Sequence, residues 1–291
     1  MKARLRIILS MLIFGTIGIF RRYIPLSSAM LAMIRGVIGL VFLLLLTVIL
    51  KKPLSASAIR KNAVRLFFSG AFLGLNWVML FEAYRYTTVA TATLCYYLAP
   101  VFITFASPFI LREKLTAKKS VCAVIALVGM VFVTGILSAG FSGSSEVRGI
   151  LYGLIAAVLY AAIVLLNKKT TDLAAFDRTI VQLAVSSAVL LVYLFVTGEF
   201  SAAVTLTPSS VLLTLIVGIV HTGIAYMLYF SGMEGTSSQT AAVLSYLDPV
   251  TAILLSALFL HEPMGWSGVI GTVLVLGATL VSEFPSGKRK S

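Results

Sequence analysis

Apolar residues in this chain fall in long blocks, and polar residues collect in the short gaps between them. Ten blocks predict helices, over residues 5–20, 28–50, 64–84, 90–111, 120–137, 150–167, 180–196, 209–232, 240–260 and 265–281. Their lengths approach the roughly 20 apolar residues that cross a hydrocarbon layer. The short alternating pattern of a barrel strand is absent from the sequence. The gaps carry helix punctuation. Pro25 and Pro53 follow predicted helix ends, and Thr207 before Pro208 reads as an N-cap with a first-turn proline. Ser138 to Ser145, SAGFSGSS, is the single linker-like stretch. It divides the chain into a five-helix unit at 1–137, a linker at 138–148 and a second five-helix unit at 149–291 with a basic tail.

The two units contain a repeat. Residues 87–113 return as 236–262 at an offset of 149, without a gap and with ten of 27 positions identical. Chance would give roughly one match in ten in a chain of this composition. Duplication follows. Five helices per unit is an odd number, so the second unit enters the membrane from the opposite side, giving an inverted repeat.

Charge supports that geometry. Eighteen Lys and Arg residues fall on the side of the N-terminus, the gaps near 51–65, 112–119 and 168–178, and the tail. Four (Arg21, Arg22, Arg85 and Arg148) fall on the other side, and Arg35 lies within a block. Basic residues favour the cytoplasmic side, so both termini are expected in the cytoplasm of a multi-pass cell-membrane protein. The repeated segments show the same sorting. Glu113 sits in a Lys/Arg-rich gap, while Glu262 lies in His-Glu-Pro-Met-Gly-Trp.

Composition narrows the class to an all-α polytopic membrane protein. The chain of 291 residues is 59% hydrophobic and 11% charged, against about 25% charged in soluble domains. The net charge of +13 does not point to nucleic acid, because membrane orientation accounts for it. Cys95 and Cys122 lie inside apolar blocks, without disulfide or zinc spacing. The first 20 residues start like a signal peptide but lack a small-residue cleavage site, and further blocks follow. A retained first helix is expected.

At this level the chain resembles the EamA family of the drug/metabolite transporter superfamily. The likeness rests on Tyr-Leu-X-Pro-Val, then Leu-X-Glu, then a Gly-containing helix (Gly129, Gly277) in each unit. Ala83 to Thr88 (AYRYTT), Arg35 and the Phe14-Gly15 pair add to it. It implies a ten-helix inner-membrane carrier moving small metabolites, amino acids or drugs by alternating access, with export as the expected direction. Gln182 occupies roughly the place of Arg35 in the second unit, so a role for Arg35 is not duplicated.

Several residues are candidates for chemistry. Pro100 and Pro249 lie about ten residues into their helices, where a proline frees backbone carbonyls. Such breaks either line a cavity or kink a packed seam. Tyr97 and Tyr246 sit beside them, with Thr93, Thr104 and Ser107 on one face and Ser245, Asp248, Ala252 and Ser256 on the other. Asp248 is the most informative ionisable group. A carboxylate at that depth must be paired, protonated or hydrated, and its repeat partner is Ala99. It is a candidate for substrate and proton binding, or else a buried hydrogen-bonded group. His221 is a second candidate for proton coupling, with packing as its alternative. Asn76, Trp77 and Tyr226, with Tyr229 near them, are candidates to line a substrate site, with core packing as the alternative. Arg35 is expected in a structural ion pair, or against an anionic substrate group. Glu113 and Glu262 are expected to cap the helices that follow them. Glu82 and Arg85 are expected to pair locally.

The resulting expectation is a secondary transporter, with a small-molecule substrate bound near Pro100 and Pro249 and the bilayer as solvent. No GxxxxGK[ST] motif is present, so ATP is not the expected driver. No cofactor, metal or nucleic acid is expected, and a homodimer is compatible with the sequence. The alternatives are a membrane-embedded lipid-modifying enzyme, a non-transporting scaffold or a channel. His221 and His261 are too far apart in sequence to suggest a catalytic cluster, and a scaffold leaves Asp248 without purpose.

Overall fold

The computed structural model describes residues 2–112, 116–133, 144–199, 206–233, 235–236, 244–262 and 264–283. Among these residues there is helix and no strand. The elements are α1 (Lys2–Gly15), α2 (Ile17–Tyr23), α3 (Ser28–Ile49), α4 (Ala56–Lys61), α5 (Ala63–Tyr86), α6 (Val89–Tyr96), α7 (Ala99–Ile110) and α8 (Ala117–Val133). They continue with α9 (Ser144–Lys168), α10 (Ala175–Thr197), α11 (Pro208–Ile216), a π-helical segment (Val217–Ile224), α12 (Ala225–Met233), α13 (Leu247–Phe259) and α14 (Trp266–Glu283).

Within the described residues, each predicted block overlaps helix. Seven stretches are long and apolar enough to cross a membrane: Ala3–Tyr23, Ser28–Ile49, Ala63–Tyr86, Val89–Ile110, Ser144–Lys168, Ala175–Thr197 and Pro208–Met233. The protein is therefore an all-α, multi-pass membrane protein. α8, α13 and α14 are shorter. Local chemistry sets several starts. Ser27 caps α3 by accepting from Met30 N, and Thr88 caps α6 by accepting from Thr91 N. Thr207 and Ser210 form a reciprocal capping box before α11. α9 begins at Ser144, earlier than its block predicts, with Glu146 in the first turn facing the positive end of the helix dipole. Residues 144–148 of the expected linker are thus helical, and 138–143 lie outside the described residues.

The outward faces are apolar. Phe109 is 87% exposed and Val196 81% exposed, as suits a surface solvated by lipid. Helices from the two ends of the chain interleave. α5 packs on α9 and α10, α3 on α10, α1 on α12 and α13, and α8 on α14. Small residues permit these approaches. A Cβ on Gly271 would come within 2.5 Å of Gly129 O. The tight contact in the last helix is therefore at Gly271, whereas Gly277 faces open space. Leu43, Phe81, Leu183, Leu190 and Leu194 are buried where α3, α5 and α10 meet.

The basic end is fastened by Asn62, which is 1% exposed. Its Nδ2 donates to Ala58 O and Thr171 O, each at 2.9 Å. Its Oδ1 accepts from Thr171 N at 3.3 Å. Lys61 and Asp172 pair nearby at 2.7 Å, which holds the exposed Asp172 carboxyl below its ordinary range.

Candidate functional site

Four stretches lose α-helical regularity where they touch one another. The first breaks between α1 and α2 at Gly15–Thr16. The second breaks between α6 and α7 at Tyr97–Leu98, so Pro100 lies in the first turn of α7, where no backbone donor is required. The third is the π-helical segment Val217–Ile224, and such segments often mark functional sites. The fourth is the start of α13, where Tyr246 precedes a first turn containing Asp248 and Pro249.

Direct contacts join them. A Cβ on Gly15 would meet Asp248 O at 2.6 Å, so only glycine admits the α13 backbone there. Tyr97 Oη donates to Asp248 Oδ2 at 2.9 Å and approaches Ser245 O at 3.4 Å. The Tyr97 and Tyr246 rings are 6.3 Å apart. The repeated Tyr-Leu-X-Pro segments therefore cross at these tyrosines. The hydrogen bond joins Tyr97 of one copy to Asp248 of the other.

Aromatic side chains surround this contact. Tyr96 packs on Tyr160 at 5.3 Å, Phe14 on Tyr226 at 5.4 Å, and Tyr229 on Phe230 at 5.5 Å. Tyr96, Tyr160 and Tyr84 all lie within electrostatic reach of Asp248. Tyr96, Tyr97, Pro100, Tyr226, Tyr229, Tyr246 and Asp248 are half-buried, and Tyr160 is 39% exposed. Aromatic walls with few polar groups suit a small organic ligand.

Other predicted residues lie around this centre. Asn76 is 1% exposed and donates to Ala156 O at 2.6 Å, tying α5 to α9. Trp77 is 6% exposed, with the Arg35 guanidinium 4.3 Å from its ring centroid. Arg35 Nε donates to Thr222 Oγ1 at 3.1 Å. No carboxylate lies within ion-pair distance of Arg35 among the described residues. The expected ion pair is absent there, and Asp248 is bound instead by Tyr97. His221 lies in the π-helical segment with Nε2 at 2.7 Å from Thr16 Oγ1. That hydroxyl donates to Ile13 O at 2.7 Å, so it accepts from Nε2–H. Phe20 packs edge-on to the imidazole at 4.8 Å. His221 thus braces the α1–α2 break and makes no contact with Asp248.

Glu262 reaches a different helix from the one that follows it. Its Oε2 accepts from Val89 N at 2.9 Å, at the start of α6, and from Ser256 Oγ. Its Oε1 pairs with Arg22 Nη2 at 2.6 Å, and the same nitrogen donates to Thr87 O at 2.9 Å. Glu262 therefore ties α2, α6 and α13 together at one end of the bundle. Glu113 lies outside the described residues. Glu82 and Arg85 pair at 2.9 Å, as their spacing predicts. Beside them a cavity of about 510 Å³ is lined by Arg21, Arg22, Arg85 and Tyr84 among others. Tyr84 lines that cavity and is within hydrogen-bond distance of Thr93 Oγ1 at 3.4 Å on α6. No cluster of metal-ligating side chains occurs among the described residues.

Sequence reasoning missed Thr16, Tyr160 and Thr222. Thr16 follows the Phe14-Gly15 pair and was within view. Tyr160 and Thr222 gave no local signal, because only tertiary contacts bring them to the centre.

Comparison with known proteins gives a consistent family. A model described as the EamA-like transporter family matches residues 1–135 and again 147–283. The uncharacterized transporter YxxF of Bacillus subtilis (strain 168) is 28% identical over 257 residues, covering 88% of this chain and 81% of that protein. Protein PecM of Dickeya dadantii (strain 3937) is 28% identical over 223 residues, covering 75% of this chain and 73% of that protein. A solved crystal structure matches with a TM-score of 0.66 at 21% identity, covering 96% of this chain and 95% of the other. That likeness concerns the fold.

Proposed function

The chain belongs to the EamA-like transporter family, and from that premise we propose that it is a secondary transporter working by alternating access in the cell membrane. It is a transporter and not an enzyme. In this reading ten helices form two inverted five-helix repeats, at 1–137 and 149–291, with both termini cytoplasmic. The cargo is a small amino acid-like or drug-like metabolite, and export is the working direction.

The observation that carries the reading is the Tyr97–Asp248 hydrogen bond. It joins the two repeated segments inside an aromatic site where two helices are interrupted and a third turns π-helical. Discontinuous helices at a repeat interface are the usual place for substrate and coupling ion in such folds. Tyr97 donates to Asp248 across the two segments, and a proton or a cationic ligand arriving at that carboxyl would weaken this contact and let the segments separate. Substrate would then contact Tyr97, Pro100, Tyr226, Tyr246, Asp248 and Pro249, with Asn76 and Trp77 behind them. His221 supports the broken first helix beside the coupling carboxylate.

The experiment begins with a thermal-shift screen of the purified protein against amino acids, nucleosides, sugars and cationic drugs. Uptake of any hit into proteoliposomes under an imposed pH gradient follows. Asp248→Asn is expected to reduce gradient-driven transport by about tenfold or more. Unchanged uptake by that variant would remove Asp248 from the mechanism.

A further inference from the structure

Arg35 is 3% exposed and lies in the middle of α3. A buried guanidinium normally has a carboxylate partner, because leaving the charge uncompensated in a low-dielectric interior is costly. Here it has one hydrogen bond, from Nε to Thr222 Oγ1. Its face rests on Trp77 at 4.3 Å and more distantly on Phe81 at 5.6 Å. Nη1 and Nη2 have no protein acceptor among the described residues.

The surroundings hold the group ready. Thr222 Oγ1 donates to Val217 O at 3.2 Å, five residues back in the π-helical segment, so its lone pair is free for Arg35 Nε. A Cβ on Gly39 would meet Thr222 Cγ2 at 2.3 Å, so α3 is pressed against that segment. With Nε fixed and the plane supported by Trp77, the two Nη nitrogens form a preset fork. A planar fork of this kind matches a carboxylate by two parallel hydrogen bonds. Tyr84, Tyr96 and Tyr226 are each within electrostatic reach of Arg35, and Tyr84 and Tyr96 are also within reach of Asp248. Asp248 itself is engaged by Tyr97. The aromatic site thus has a guanidinium at one end and a carboxyl group at the other, with tyrosines between them.

We propose that Arg35 anchors a carboxylate carried by the transported molecule, which then lies along the tyrosines with its other end toward Asp248. This rests on the transport reading of the same site and adds the charge and orientation of the cargo. Of the two readings the sequence leaves for Arg35, it takes the anionic substrate group over the structural ion pair.

Trp77 supplies the readout. The chain has two tryptophans, and Trp266 is 84% exposed, so full-length Trp266→Phe protein reports on Trp77 alone. Hexanoate, hexanol and hexylamine are titrated in a chloride-free buffer, with Trp77 emission followed. Hexanoate is expected to shift the emission and to bind at least about tenfold more tightly than hexanol or hexylamine. Arg35→Gln is expected to remove that preference, while Arg35→Lys retains part of it. Thr222→Val, which keeps the charge and loosens the fork, is expected to weaken hexanoate several-fold without abolishing it.

Equal binding of hexanoate and hexanol overturns the proposal, as does an unresponsive Trp77, or undiminished hexanoate binding in Arg35→Gln. A separate chloride titration tests the other source of negative charge. If chloride alone reproduces the shift and hexanoate adds nothing, the anion is inorganic and the assignment to cargo is wrong. If hexanoate binds as expected but Asp248→Asn transports normally, this inference survives and the coupling reading fails. The reverse pattern separates them the other way.

Discussion

Asp248 and Asn62 show how differently two polar residues are used in one membrane protein. Asn62 is consumed by structure. Its amide joins Ala58, Thr171 and Arg65 at the basic end of the bundle. Asn62→Ala leaves the Thr171 carbonyl and amide without that partner, and is expected to lower unfolding free energy by about 1–3 kcal/mol. Thermal unfolding in detergent, read by circular dichroism, checks this, and ligand binding at the distant centre should be unchanged. Among the described residues Asp248 has one side-chain donor, Tyr97, and it is only partly buried, so it remains available to exchange partners. Its candidacy rests on the sequence, where a carboxylate stands in place of Ala99 of the other repeat, and its contact with Tyr97 was not legible there. The state of Arg35 was not legible. A charge in an apolar block advertises a partner, and only the folded arrangement shows that no carboxylate reaches it.

At the level of elements, prolines made some breaks readable and left others hidden. Pro100 and Pro249 point to the interruptions before α7 and at the start of α13. The π-helical segment contains no proline, and its sequence, VGIVHTGI, reads as ordinary helix. Its irregularity is set by neighbours, with Gly218 against Ile38 and Gly223 against Phe42. The reach of Glu262 was hidden for a similar reason. Sequence proximity favoured the next helix, whereas tertiary packing brings the start of α6 and Arg22 within hydrogen-bond distance. This junction ties together elements from both ends of the chain on the side where few basic residues fall. In the proposed orientation, with both termini cytoplasmic, this junction would act as an outer latch. Glu262→Gln retains the shape and removes the ion pair, which should loosen the latch by about 1.5–3 kcal/mol, or roughly ten- to a hundredfold in the opening equilibrium. The checking measurement is the labelling rate of a cysteine placed at Tyr84, under the latch, by an impermeant reagent from the outside. An unchanged rate would show that the junction is static.

For the whole molecule, periodicity and block length were enough to give an all-α, multi-pass protein, because lipid leaves a chain few ways to satisfy its backbone. The duplication at an offset of 149 was equally readable, and a family model that matches twice along the chain fits it. How the units interlock was not readable, since α5 on α9 and α8 on α14 are contacts between distant parts of the sequence. The proposed mechanism requires that the aromatic centre open to one side and then to the other. Tyr160 is suited to test this, being 39% exposed beside Tyr96 and within reach of Asp248. With Cys95 and Cys122 replaced by alanine and Tyr160→Cys introduced, the single thiol can be challenged in vesicles of known orientation. The most direct measurement is its labelling by an impermeant maleimide, applied separately from each side, with and without a ligand from the thermal-shift screen. The account predicts labelling from both sides and protection by ligand from both. Labelling from one side only, or from neither, would contradict alternating access to this site.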